Sequence, residues 1–172
     1  MSAASGASDP VGAHPRVLVA GVGNIFLGDD GFGPAVARRL AAHALPDGVR
    51  VVDYGIRGMH LAYDLLDGWD VLVVVDTIPA RGQPGAVQLL EVTADDVPRA
   101  AMDAHGMDPV SVLAGVTALG GSLPRTLVVG CQPARLDEGI GLSADVEAGV
   151  ERAVAEVLGV LDELVPAAAG GG

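Results

Sequence analysis

The chain is 172 residues long, enough for one domain, and its core has to be aliphatic because 50% of the residues are hydrophobic but only 3% aromatic. A formal net charge of −12 argues against nucleic acid and against an anionic membrane surface as partners, since both are bound by neutralising phosphate with cations. All 10 cationic side chains are arginine, which removes phosphate-gripping lysines, Schiff-base lysines and Ser–Lys nucleophile pairs.

Residues 1–15, rich in Ser, Ala, Gly and Pro, read as a disordered tail without the basic start and apolar run of a signal peptide. Val17–Ala20 is continuously apolar, the pattern of a strand covered on both faces. It leads into a glycine turn that delivers Asp29 and Asp30 to the mouth of a helix expected over Gly33–His43. Pro34 stands at the first helical position there, and Val36 and Leu40 form the apolar face. Arg38 and Arg39 fall inside this helix, so they are not a twin-arginine export signal. Val49–Asp53 and Val71–Asp76 are two further strands of the doubly covered kind.

Ala86–Val92 is another strand, but only the short loop 77–85 separates it from Asp76. A parallel neighbour needs a crossover of roughly a dozen residues, so this strand is expected to run antiparallel to its predecessor. Asp108–Pro109 opens a helix through Val112, Leu113, Val116 and Leu119, which Gly120–Gly121 stops. Thr126–Cys131 is the last strand. Ser143 is expected to cap the last helix, whose buried stripe is Val146, Val150, Val154, Val157 and Leu161. Residues 167–172 read as a second disordered tail. The resulting expectation is an α/β protein, a single three-layer α/β/α sandwich over residues 16–166 with a mostly parallel, five-stranded sheet and one antiparallel strand.

Three positions on this scaffold can carry chemistry. Asp30 follows the first strand, Asp76 ends the third, and His105 lies in the loop before the helix that Pro109 opens. Loops at the carboxyl ends of parallel strands face a common crevice where the winding direction reverses. If the first and third strands are neighbours there, two carboxylates and an imidazole make a site for a borderline divalent metal such as nickel or zinc. Blander readings stand beside this one: either Asp29 or Asp30 can serve the helix dipole, and His105 alone in a polar loop is simply solvated. Asp76 is harder to dismiss, because a charge ending an apolar strand is costly without a partner. His14, His43 and His60 have no comparable setting.

Other motifs fail. Gly21-Val22-Gly23 imitates a dinucleotide turn, but the required third glycine falls at Phe26. Cys131 is the single cysteine; it forms no internal disulfide, fits a reducing compartment, and reads as a small buried thiol. There is no Gly-x-Ser-x-Gly elbow, so a hydrolase would rely on a metal. Phe26, Phe32 and Ile25 are either a docking patch or an apolar wall behind the loop.

The segments GVGNIFLGDDGFG (residues 21–33), VVVDTIPARGQPG (73–85), AHGMDPVSVL (104–113) and GCQPARLDEGIGLS (130–143) resemble, in this order, the hydrogenase maturation endopeptidases of nickel-iron hydrogenases. The likeness spans about Val17 to Leu164. It implies a phosphorylase/hydrolase-like α/β/α fold, a cytoplasmic location, and removal of a C-terminal extension from the hydrogenase large-subunit precursor after nickel insertion. The family's metal-binding acid falls on Asp30, its strand-end aspartate on Asp76 and its histidine on His105. The nickel is supplied by the precursor, so the protein need hold none of its own.

Two departures accompany the resemblance. Many members carry Glu at position 30, so with the shorter Asp the pocket must be tighter or Asp29 must assist. The family's second-strand loop often reads Asp-Gly-Gly-Thr-x-Gly, whereas here it is Asp53-Tyr54-Gly55-Ile56-Arg57-Gly58. That loop is expected to contribute to choosing the hydrogenase, with Arg57 either binding an acidic group of the partner or forming a surface ion pair. Two rivals remain at this point: a non-catalytic nickel chaperone or adaptor for hydrogenase assembly, and, on fold analogy alone, a nucleotide-binding oxidoreductase.

Overall fold

Strand β1 (Val17–Val22) is buried along its whole length. The computed structural model, which describes residues 14–93 and 109–166, sets it between two parallel neighbours. These are β2 (Val49–Gly55) and β3 (Val71–Thr77). β5 (Arg125–Cys131) continues the sheet in parallel beside β3, and β4 (Val87–Val92) closes it in the opposite direction, giving the order β2-β1-β3-β5-β4. The mixed sheet with one reversed strand is the expected one.

The reversed strand differs from expectation in one respect. β4 does run against β3, but it pairs with β5 rather than with its predecessor. Both edges of β3 are taken, by β1 and β5. The connecting loop therefore crosses the end of β5, where Ile78 N–H donates to the Cys131 carbonyl at 3.0 Å and Gly85 N–H to the Gln132 carbonyl at 2.8 Å.

Successive strand residues point to opposite faces, and both faces are covered at β1, β3 and β5, which is why these strands read as unbroken apolar runs. β2 and β4 are the edge strands and are only partly covered, so the expectation of a doubly covered strand over Val49–Asp53 is not met. Val17, Val73 and Val129 belong to one core cluster with α1 (Phe32–Leu40) and α4 (Ala144–Leu164). Leu18, Leu72 and Val128 belong to a second, with α2 (Gly58–Leu65) and α3 (Pro109–Ala118). This is the α/β/α sandwich. The stripe Val146, Val150, Val154, Val157 and Leu161 of α4 is buried as expected.

α1 starts one residue early and ends at Leu40, so Pro34 occupies its third position rather than its first. The first turn of a helix has no intrahelical use for its N–H groups, so proline is tolerated there too. Gly33 is required by packing: a Cβ would lie 2.2 Å from the Val22 carbonyl oxygen and 2.3 Å from that of Val75. The glycine lets α1 rest directly on the ends of β1 and β3. α3 ends at Ala118, and Gly121 N–H then donates back to the Val116 carbonyl at 2.9 Å. Residues 1–13 and 167–172, which hold most of the expected tails, and Asp108, the expected cap of α3, lie outside the described residues. Among the described residues no helix is long and apolar enough to cross a membrane.

Candidate active site

The chain leaves β1 for β2 on one side, and β3 lies on the other, so the winding reverses between β1 and β3. Asp30 and Asp76 both sit at the carboxyl ends of these two strands. A short 3₁₀ turn (Gly28–Gly31) carries Asp29 and Asp30. Gly23, at φ +145°, lets the chain fold back so closely that a Cβ there would meet the Asp30 carbonyl oxygen at 1.9 Å. The next residue's N–H then reaches the Asp30 side chain: Asn24 N–H donates to Oδ2 at 2.7 Å.

The link across the crevice is Thr77, which the sequence reading did not single out. Its hydroxyl donates to Asp30 Oδ1 at 3.2 Å, and its N–H donates to Asp76 Oδ1 at 2.7 Å. One residue thus touches both carboxylates, and both are half-buried at the crevice. His105, the third expected member, lies outside the described residues. Among the described residues, accordingly, no cluster of three His, Cys, Asp or Glu stands ready to hold a metal ion. His14, His43 and His60 are exposed.

Asp29 has a different task from the two weighed for it. It is fully buried and turned away from Asp30. Its Oδ2 accepts from Ala134 N–H at 2.8 Å, Arg135 N–H at 2.9 Å and the Ser143 hydroxyl at 2.9 Å, while Oδ1 accepts from Ser143 N–H at 2.6 Å. Burial by itself pushes this carboxyl upward. The four donors outweigh it and hold the group below the usual aspartate value. Asp29 therefore neither caps its own helix nor assists Asp30. Ser143 is corrected with it. Its backbone is extended as at a helix start, but its hydroxyl makes no bond to α4 and is committed to Asp29. A buried carboxylate needs donors more than an exposed helix end needs a cap.

This clamp joins loop 24–31 to loop 132–143. Gly28 N–H donates to the Gly139 carbonyl at 2.9 Å, and Gly139 N–H to the Phe26 carbonyl at 2.9 Å. Nothing in the local sequence shows it, because the donors stand 105, 106 and 114 residues away.

Asn24, whose N–H holds Asp30, also lines a cleft of about 260 Å³ together with Phe26, Asp53, Tyr54, Ile56 and Arg57. Arg57 spends its guanidinium on its own loop, donating to the Asp53 carbonyl at 2.7 Å and the Tyr54 carbonyl at 3.2 Å. The ion pair at this spot belongs instead to Arg38, whose Nε lies 3.6 Å from Asp53 Oδ2. Tyr54 is buried and donates to Asp64 at 2.5 Å; burial first, then that bond, pushes its hydroxyl above the ordinary tyrosine value.

The rim is apolar. Phe26 is 60% exposed and Ile56 61%, with Ile25 beside them, whereas Phe32, the first residue of α1, is wholly buried. The expected trio thus divides into two surface residues and one core residue. Cys131 is buried, and burial pushes its thiol up to about 11, so it is a packing residue and not a nucleophile.

A family model described as hydrogenase maturation protease matches residues 34–160, a span that includes Asp76 and begins after Asp30. Among curated relatives, the hydrogenase expression/formation protein HupM of Azotobacter chroococcum is 36% identical over 161 residues, covering 88% of this chain and 74% of its own length. The hydrogenase 2 maturation protease of Escherichia coli is 33% identical over 153 residues, covering 86% of this chain and 92% of its own. Among solved structures, the hydrogenase maturating endopeptidase HybD from E. coli superimposes with a TM-score of 0.72 at 33% identity, over 86% of this chain and 93% of that one.

Proposed function

Since this chain belongs to the hydrogenase maturation protease family, we propose that it is the endopeptidase that removes the C-terminal extension of a nickel-iron hydrogenase large-subunit precursor after nickel insertion. The observation that carries the reading is the meeting of Asp30 and Asp76 at the β1–β3 crevice through one shared residue, Thr77. Two carboxylates at the open end of a rigid sheet are hard oxygen donors, and an imidazole from His105 would make them a mixed set appropriate to a borderline cation such as nickel.

In this reading nickel arrives as part of the substrate. Asp30, Asp76 and His105 reach the ion already held in the precursor, and that contact sets the scissile peptide at the crevice. The ion polarises the peptide carbonyl or activates a water, a role that fits a chain whose one cysteine is buried. Docking requires a larger surface. The exposed Ile25, Phe26 and Ile56 line the neighbouring cleft and offer the precursor apolar area, while loop 53–58, braced by Arg57, selects which precursor fits. Action in the cytoplasm belongs to the same proposal and agrees with a single, unpaired Cys131.

The test is to incubate the protein with nickel-loaded and nickel-free precursor and weigh the products. Shortening of the loaded form alone is expected. A loaded precursor that binds but keeps its full mass would make the protein a chaperone or adaptor instead, and equal cutting of both forms would remove nickel from the mechanism.

A further inference from the structure

We propose that Thr77 is a positioning residue for the cleavage, fixing the orientation of both carboxylates; this rests on the reading of Asp30 and Asp76 as the groups that meet the precursor's nickel. The terminal torsion of an aspartate is soft, so a carboxylate with one anchor can still swing. Asp30 has an anchor on each oxygen: Asn24 N–H on Oδ2 at 2.7 Å and the Thr77 hydroxyl on Oδ1 at 3.2 Å. With both ends held, the plane of the group is set. Each carboxylate oxygen accepts about two hydrogen bonds, so Asp30 keeps acceptor capacity for a cation while being held.

Thr77 is tied into the sheet. It is the last residue of β3, in register with Cys131 of β5, and the following N–H, of Ile78, donates to the Cys131 carbonyl at 3.0 Å. Its own N–H holds Asp76 Oδ1 at 2.7 Å. The hydroxyl therefore transmits the rigidity of the sheet to a carboxylate carried on a loop, and it spans 47 residues of sequence to do so. One residue that donates to both carboxylates holds each in a fixed relation to the other.

The experiment compares full-length wild type, Thr77→Val, Thr77→Ala and Thr77→Ser on nickel-loaded precursor, with thermal unfolding of each recorded alongside. Valine keeps the branched shape and strand preference of threonine and loses only the donor. For Val and Ala we expect kcat to fall by about 10–100-fold while KM for the precursor stays within about twofold, and for Ser we expect kcat within about threefold of wild type. Wild-type turnover by the Val or Ala variant would overturn the proposal. So would a Ser variant as slow as Val, which would assign the role to the methyl group, or a loss confined to KM, which would assign it to docking. If wild type itself leaves the loaded precursor uncut, the proposed function fails, a result separate from any of these.

Discussion

Asp29 and Asp30 are neighbours with the same side chain, and the fold sets them in opposite surroundings. Asp29 points into the fold, fully buried, where four donors from distant residues fix it as a clamp between two loops. Asp30 points outward to the crevice with two donors, Asn24 and Thr77, and acceptor capacity to spare. A carboxylate whose hydrogen-bonding capacity is filled by the protein is structural. One that is held but not filled can take a ligand. The difference comes from which long-range partners the fold delivers, not from the residue or its immediate neighbours.

Exchanging each aspartate for asparagine should therefore separate activity from stability. Asp30→Asn is expected to lower precursor cleavage by about 10³-fold or more while moving the unfolding free energy by less than about 1 kcal/mol. Asp29→Asn should do the reverse to stability. It sets an amide NH₂ against donors that need an acceptor, at a cost of about 2–4 kcal/mol in urea unfolding. Cleavage by the fraction that stays folded should persist. A variant of Asp30 that unfolds, or one of Asp29 that is fully stable and inactive, would reverse the assignment.

The acid limb of stability offers a second check on Asp29. Its carboxyl is held below the usual value in the fold, so its contribution is fully present above an unfolded value of about 4 and is lost as pH falls through the lowered native value. Urea midpoints measured from about pH 5 down to pH 2 should drop for wild type and drop less for Asp29→Asn. The smallest effects are expected at the rim. Phe26→Ser and Ile56→Ser remove exposed apolar surface, so stability should stay within about 0.5 kcal/mol while KM for the precursor rises several-fold. An unchanged KM in both would remove the rim from docking.

The sheet was legible in the sequence because burial on both faces leaves an unmistakable pattern, unbroken apolar runs such as Val71–Val75. Asp76 was legible for a related reason: a charge closing such a run calls for an explanation. The neighbour of β4 was not, since strand order depends on which edges other strands already occupy. The clamp made by Asp29 could not be foreseen, nor the true partner of Ser143, because both lie in contacts more than 100 residues apart. Thr77 escaped notice because a threonine at a strand end is ordinary until the fold brings Asp30 to its hydroxyl. His105 was singled out by its loop before a capped helix, and the resemblance gave it the same role; it lies outside the described residues.

The central claim is that the crevice between β1 and β3 performs the cleavage. Its most direct test is the intact mass of nickel-loaded precursor after incubation with Asp76→Asn. A folded variant and a precursor of undiminished length are expected; a precursor trimmed as fast as by the wild-type protein would place the cleavage elsewhere.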